Sequence, residues 1–394
     1  MRALVIAPQP FFSPRGTPFS VYYRTLVTSE LGVEVDLLTY GEGQDPDLPG
    51  VRIVRIPRFR FLGPIPVGPS AVKAFLDLFV VLWTLGLLLR RRYDVVHAHE
   101  EAVFFCRFLK PLFRFRLIYD MHSSLPQQLT NFAFTKSRLL IGAFEALENS
   151  ALRAADGVIT ICPELADYAV PRMPDPGRHF LIENSIFEPV RLKAAPGDAA
   201  ASSVAAPLPE DRPIVAYAGT MEAYQGIGLL LDAFAAAKDS PSRPLLLLVG
   251  GTAEQVARYR EHAARVGIAD DTIFTGRVPQ SDARRLLDRA AVLVSPRVEG
   301  TNTPLKIYEQ LASGKPLVAT RILSHTQVLD DDVCFLADPD ASSFGNALRR
   351  ALEDRVEAER VVRGALALYE RRYARPVYVE KMKRLFARVL PCAG

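Results

Sequence analysis

The densest run of groups suited to chemistry is Ser295-Pro296-Arg297-Val298-Glu299-Gly300-Thr301-Asn302-Thr303-Pro304-Leu305-Lys306-Ile307-Tyr308-Glu309. Thr303 has a helix-capping side chain, and Pro304 suits the first helical position. Gly300 and the amides of 301–303 would then face an anion at the positive end of a helix dipole. Lys306 and Glu309 stand three apart and share a helix face. The lysine suits a phosphate. An ionised glutamate accepts two hydroxyl hydrogens, as a ribose diol offers. The competing reading is a solvated Lys–Glu pair contributing roughly 0.3 kcal/mol. The clustering of polar, anion-seeking residues at one strand end favours the ligand.

Other candidates also follow apolar runs of strand length. Phe12-Ser13-Pro14-Arg15-Gly16-Thr17-Pro18 combines a turn glycine with a capping threonine, leaving amides free for an anion or simply turning the chain. His122, in Tyr119-Asp120-Met121-His122, can donate to a substrate oxygen or move a proton, or it is a loop histidine. His97 and His99 lie two apart, hence on one face of an extended segment. With no third ligand evident, packing and hydrogen bonding are expected there rather than a metal. Asn184-Ser185 ends another run, as turn former or cleft residue. Tyr217-Ala218-Gly219-Thr220, leading to Gln225-Gly226, offers a second turn with available N–H donors.

These segments need a scaffold, and the hydrophobic pattern describes one. Strands are expected at 3–7, 33–39, 51–56, 94–98, 116–120, 157–162, 179–183, 213–218, 244–249, 272–275, 291–295, 316–320 and 333–336. Most are continuous apolar runs, as in parallel sheets buried on both faces. Helical patterns at 18–31, 70–91, 137–154, 226–238, 253–266, 280–289, 304–313 and 341–353 lie between many of them, and 355–372 and 376–390 close the chain. Repeated β-α-β order predicts an α/β fold of doubly wound sheets, whose ligands gather at the carboxyl ends of the strands. The Ala/Ser/Pro-rich stretch 193–211 reads as a linker. It separates an N-terminal domain, 1–192 joined by the terminal helix 374–394, from a second domain, 212–373.

At 394 residues the chain suits two domains. With 49% hydrophobic and 23% charged residues it is globular, and a net charge of +4 is too small to argue for nucleic acid. The four cysteines are scattered without a CxxC pair, which predicts reduced cytoplasmic thiols. The first apolar run is short and reads as a strand rather than a leader.

The chain resembles the large GT-B family of retaining glycosyltransferases, type 4, which includes bacterial polysaccharide and lipopolysaccharide transferases of the cell envelope. The resemblance is carried by Tyr93-Asp94-Val95-Val96-His97-Ala98-His99, Ile182-Glu183-Asn184-Ser185, Phe274-Thr275-Gly276-Arg277-Val278 and Leu311-Ala312-Ser313-Gly314-Lys315-Pro316-Leu317-Val318-Ala319-Thr320. It implies two Rossmann-like domains facing a cleft and a retaining hexosyltransferase that uses a nucleotide-diphosphate sugar without a metal or other cofactor. The acceptor domain comes first and the nucleotide-sugar domain second. By resemblance, Glu309 holds the ribose, Glu299 to Thr303 (with Thr301 and Asn302) hold the donor sugar and diphosphate, and His122 lies near that sugar. Gly16 and Thr17 stand in the glycine-rich first loop, and Gly276 and Arg277 lie near the base.

Two features depart from the family pattern. Glu299 and Glu309 are separated by nine residues rather than seven, and Pro304 to Glu309 resemble a subgroup with Pro-x-Lys-x-x-Glu. The usual Arg and Lys after Gly219 are replaced by Thr220 and Gln225, so Lys306 with Arg15 or Arg297 is expected to supply the positive charge. Catalytic roles thus fall to His122, Glu299 and Lys306. A GT-B epimerase and a noncatalytic nucleotide-sugar-binding relative are the rivals.

Residues 74–89 are very apolar and end at Arg90-Arg91-Arg92. Sixteen residues containing Asp77 are short for a membrane span, leaving a buried helix or a membrane-surface contact. Residues 52–116 hold twelve Lys or Arg against four Asp or Glu. With Phe59, Phe61, Phe108 and Phe113 interleaved, this suits an anionic lipid surface. A glycan or lipid-linked acceptor and a cytoplasmic protein with peripheral contact through 58–116 follow as expectations.

Overall fold

The computed structural model describes residues 1–13, 16–63, 65, 70–124, 138–184, 186–187, 190, 208–238 and 240–390. The chain forms two compact units. One runs from Met1 to Ile186 and is completed by the segment from Arg375 onward; the other ends at Ala374. Most of the expected linker, as far as residue 207, lies outside the described residues, as do Arg15 and Ser185.

The first unit contains β1 (Arg2–Ala7), α1 (Gly16–Glu30), β2 (Glu34–Thr39), β3 (Val51–Arg55), α2 (Ala71–Arg90), β4 (Val95–His99), α3 (Ala102–Phe113), β5 (Arg116–Met121), α4 (Arg138–Ala154), β6 (Gly157–Thr160), α5 (Pro163–Ala169) and β7 (His179–Leu181). Its seven parallel strands are ordered β3-β2-β1-β4-β5-β6-β7. Leu4, Val5 and Ile6 are buried on both faces of the central strand, which explains their uninterrupted apolar run. Helix α2 buries Leu76, Val80, Thr84, Leu87 and Leu88, a stripe at helical spacing. Its start is fixed by Ser70, whose hydroxyl accepts the Lys73 N–H at 3.2 Å. Helix α3 was not expected, because Arg107, Lys110 and Pro111 interrupt its apolar period.

The second unit contains β8 (Ile214–Ala218), α6 (Ile227–Ala237), β9 (Leu245–Val249), α7 (Ala253–Arg265), β10 (Thr272–Gly276), α8 (Gln280–Asp288), β11 (Val292–Ser295), α9 (Lys306–Ala312), β12 (Leu317–Thr320), α10 (Leu323–Thr326), β13 (Phe335–Ala337), α11 (Ala341–Glu353) and α12 (Arg355–Arg372). Its parallel sheet is ordered β10-β9-β8-β11-β12-β13. Thr252 and Gln255 close a capping box on α7.

The last helix, α13 (Arg375–Val389), belongs to the first unit. Leu385 and Val389 lie so close to Gly157 that a Cβ there would meet them at 2.9 and 2.8 Å. Arg375 pairs with Glu30, and Lys381 with Glu183, both at 2.5 Å.

In each sheet the strand order reverses direction once, between β1 and β4 and between β8 and β11. Loops leaving the carboxyl ends of strands at such a switch diverge and open a crevice.

Candidate active site

In the second unit the switch-point loops are 219–226, after β8, and 296–305, after β11. They are knitted together. Val298 donates its N–H to the Tyr224 carbonyl at 2.9 Å. Gly226 has φ +71°, and a Cβ there would lie 1.9 Å from the Pro296 carbonyl oxygen, so glycine is what permits this approach. Arg297 lies over the Tyr224 ring, 5.2 Å from its centroid, and donates to the carbonyls of Glu299 at 2.6 Å and Asn302 at 3.2 Å. The Thr320 hydroxyl donates to the Arg297 carbonyl. Arg297 thus holds the 297–302 loop from inside.

This bracing replaces the expected cap. Helix α9 begins at Lys306, two residues later than expected, with Leu305 as N-cap residue and no side-chain cap bond. Thr303 Oγ1 is buried with no hydrogen-bond partner among the described residues. Seven residues make a short helix, so the side chains matter more here than a helix dipole.

Lys306 points inward. Its Nζ sits 4.0 Å above the centroid of Tyr217, at the end of β8. It is buried and has no hydrogen-bond partner among the described residues. Burial, reinforced by the charge of Arg297, lowers its pKa to about 7. A buried ammonium without a counter-ion is costly, and an anion brought to this crevice would remove that cost. Gln225 Oε1, on the facing loop, is likewise buried and unpartnered. Glu309 is exposed, yet the protein mass around it raises its carboxyl to about 7 against the pull of Arg284. It makes no ion pair with Lys306 among the described residues, so the solvated-pair reading is set aside.

The remaining candidates are spread more widely. Gly219, Thr220, Glu299 and Thr301 are exposed on the two loops, and Asn302 is half-buried. The Thr220 carbonyl accepts from Tyr217 Oη at 2.5 Å, and that of Thr301 from Gln327 Nε2 at 2.5 Å. Gly276 and exposed Arg277 end β10, two strands away from β8. Sequence reasoning gave Tyr217 and Tyr224 no role of their own and missed His325. The His325 ring is buried between Ser295 Oγ, 2.9 Å from Nε2, and the Thr320 carbonyl, 2.8 Å from Nδ1. A carbonyl only accepts, so Nδ1 carries the proton and Nε2 accepts from Ser295. Burial lowers the His325 pKa to about 4, keeping the ring neutral.

In the first unit Gly16 and Thr17 head α1. Two turns on, the buried Arg24 reaches beneath the ends of β4 and β5, where its guanidinium pairs with Asp120. It also donates to the Ile182 carbonyl at 2.8 Å and to Asn184 Oδ1 at 3.4 Å, and Ser20 donates to that same oxygen at 2.6 Å. Around Asp120 stand His97 Nε2 at 3.1 Å, His99 Nδ1 at 3.5 Å and His122 Nε2 at 3.3 Å. The His97 and His99 rings stack at 4.7 Å, as their spacing on one strand face allows. Burial opposes charge on Asp120, but Arg24 and the histidines outweigh it and hold the carboxyl below the usual range. Burial lowers His122 to about 4.

His97, His99 and Asp120 bring three donor atoms within 4.8 Å of one another. The third ligand atom that sequence did not reveal is therefore present, and the Arg24 guanidinium pairs with that carboxylate.

Two open parallel sheets, each with loops gathered at its switch point, are the architecture of the GT-B fold. A family model described as "Glycosyl transferases group 1" matches residues 212–354, and one described as "Glycosyl transferase 4-like domain" matches 23–185. The chain therefore belongs to the GT-B glycosyltransferases of type 4. It is 25% identical to a 2-deoxystreptamine glucosyltransferase from Streptomyces kanamyceticus, over 74% of this chain and 77% of that protein. Its fold matches sucrose-phosphate synthase from Thermosynechococcus elongatus, with a TM-score of 0.73 and 21% identity over 98% of each chain. It also matches an Anabaena protein solved in complex with UDP, with a TM-score of 0.71 and 15% identity over 98% of this chain and 100% of that one.

Proposed function

We propose that this glycosyltransferase takes a hexose from a nucleotide-diphosphate sugar and transfers it, with retention at the anomeric carbon, to a hydroxyl of a glycan or lipid-linked acceptor. The observation that carries the donor assignment is Lys306 Nζ, a buried and unpartnered cation at the switch point of the second sheet. The UDP held by the Anabaena structure is consistent with that reading.

As the bond from C1 to the diphosphate breaks, negative charge grows on the phosphate oxygens. Lys306 and Arg297 stand ready to stabilise it without rearranging. The acceptor oxygen bonds to C1 on the face the phosphate leaves, and its proton passes to the departing phosphate oxygen. Glu309 fits a ribose diol, whose two hydroxyls would favour its ionised form. His122, kept neutral, is suited to exchanging hydrogen bonds with sugar hydroxyls.

Calorimetry against a panel of nucleoside diphosphates and their sugars tests the reading. At least one should bind, and Lys306→Met should weaken it by about 10- to 100-fold, the value of a hydrogen bond to a charged group. Equal affinity in wild type and variant, or no binding by any nucleotide, would overturn the assignment.

A further inference from the structure

Helix α2 carries a second apolar face that the described residues of the first unit leave uncovered. Its core stripe is Leu76, Val80, Leu87 and Leu88, whereas Phe75, Leu78, Leu82 and Leu89 are 38%, 56%, 51% and 75% exposed. Their spacing sets them along one side of the helix over about 21 Å. Phe59 packs on Phe75 and Phe79 at 5.3 and 4.6 Å and extends the face to Phe61, which is 77% exposed. On the adjoining α3, Phe108 and Leu112 are 61% and 73% exposed and four residues apart. Soluble proteins rarely leave so continuous an apolar surface without a partner.

The charges around this face say what the partner is. Arg58 and Arg60 flank the aromatic end, Arg90 and Arg92 the other end, and Arg114 follows α3. All five are exposed and form no ion pair among the described residues. Leu89, Arg90, Arg92 and Phe113 line a cavity of about 230 Å³ at the helix end. The one carboxylate of α2, Asp77, accepts the Tyr40 hydroxyl at 2.5 Å. By length and hydropathy α2 could cross a bilayer. Leaving the domain, however, would strip five core side chains from the sheet.

We propose that the exposed faces of α2 and α3 seat the first unit on an anionic lipid bilayer, with α2 lying in the plane of the headgroups and its arginines on lipid phosphates. The apolar stripe enters the acyl boundary, while the other side of the helix stays in the protein core. The inference is independent of the nucleotide assignment, since none of these residues belongs to the 217–309 site.

Trp83, the sole tryptophan, lies on this helix and reports the contact directly. The full chain is mixed with phosphatidylcholine vesicles, pure or with about one-third phosphatidylglycerol, and floated on a density gradient. It should float with the anionic vesicles, and Trp83 emission should shift to shorter wavelength and be quenched by brominated lipid. Leu78→Glu with Leu82→Glu should weaken binding by at least tenfold with an unchanged melting temperature, since both positions are exposed. Replacing Arg60, Arg90 and Arg92 by Gln should cost about fivefold each and erase the preference for anionic lipid. Nucleotide affinity should be the same in all variants. Absence of flotation, flotation insensitive to the glutamates, or a wild-type self-association that the glutamates abolish would overturn the proposal.

Discussion

Lys306 is charged in part at neutral pH, and its protonation is tied to what occupies the crevice. With no ligand its pKa is about 7, because burial and Arg297 both disfavour the ammonium. A bound diphosphate favours it, so binding above pH 7 takes up one proton. Donor affinity should therefore fall by up to tenfold per pH unit above about 7, until the pKa of the complex is reached. A sugar nucleotide is the right probe, because its diphosphate has no ionisation in that range. Titration calorimetry in buffers of different ionisation heat reads the proton directly. In Lys306→Met the proton uptake and the fall above pH 7 should vanish, leaving only the proton release from Glu309, whose carboxyl sits at about 7 before the ribose binds.

At the scale of elements, the sites depend on contacts that loops and helices make with one another. Gly226→Ala places a Cβ 1.9 Å from the Pro296 carbonyl oxygen at a φ of +71°. It should cost about 2 kcal/mol or more and weaken nucleotide binding further by parting the two loops. Gly314→Ala is the control: its φ is +69°, but no atom lies within 4 Å of the new Cβ, so only about 1 kcal/mol of backbone strain is expected. Urea melts with nucleotide titrations separate the two cases. In the first unit, Arg24→Met leaves Asp120 buried without its counter-ion and should destabilise that unit by about 3–5 kcal/mol. Arg24 also helps hold down the His122 pKa, so the His122 proton resonances should titrate at higher pH in the variant. Denaturation followed by Trp83, which lies in the first unit, measures the stability loss.

Across the whole molecule, both units are built around neutral buried histidines. His122 in the first and His325 in the second each have a pKa near 4, lowered by burial from 6.5. The unfolded chain therefore binds protons more tightly than the folded one. Stability from these groups is complete above about pH 6.5 and is lost as the pH falls through 4, at up to about 1.4 kcal/mol per pH unit for each histidine. Thermal melts across that window should show both units weakening together. The first unit is tracked by Trp83 fluorescence and the whole chain by circular dichroism. A His325→Gln variant should flatten the acid dependence of the second unit alone.

The amino-acid sequence alone determined the β-α-β alternation and nearly every strand, because strands buried on both faces must be continuous apolar runs and turns must interrupt them. It also marked 295–309 as the richest segment, since lysine, arginine and glutamate are out of place beside a buried strand unless something there needs them. Only the tertiary structure decided how those residues act. Arg297, expected on the ligand, also braces its own loop, and Thr303 does not cap α9. Tyr217, at the end of β8, and His325, in α10 after β12, lie far apart in sequence, yet one lies under Lys306 and the other against Ser295, because β8 and β12 flank β11 in the sheet. In the same way Arg24 reaches Asp120 across 96 residues of sequence. The sequence could not distinguish a buried α2 from a membrane-contact α2, since both faces are apolar. The packing of one face against the sheet, with the other left bare, was decided by the fold.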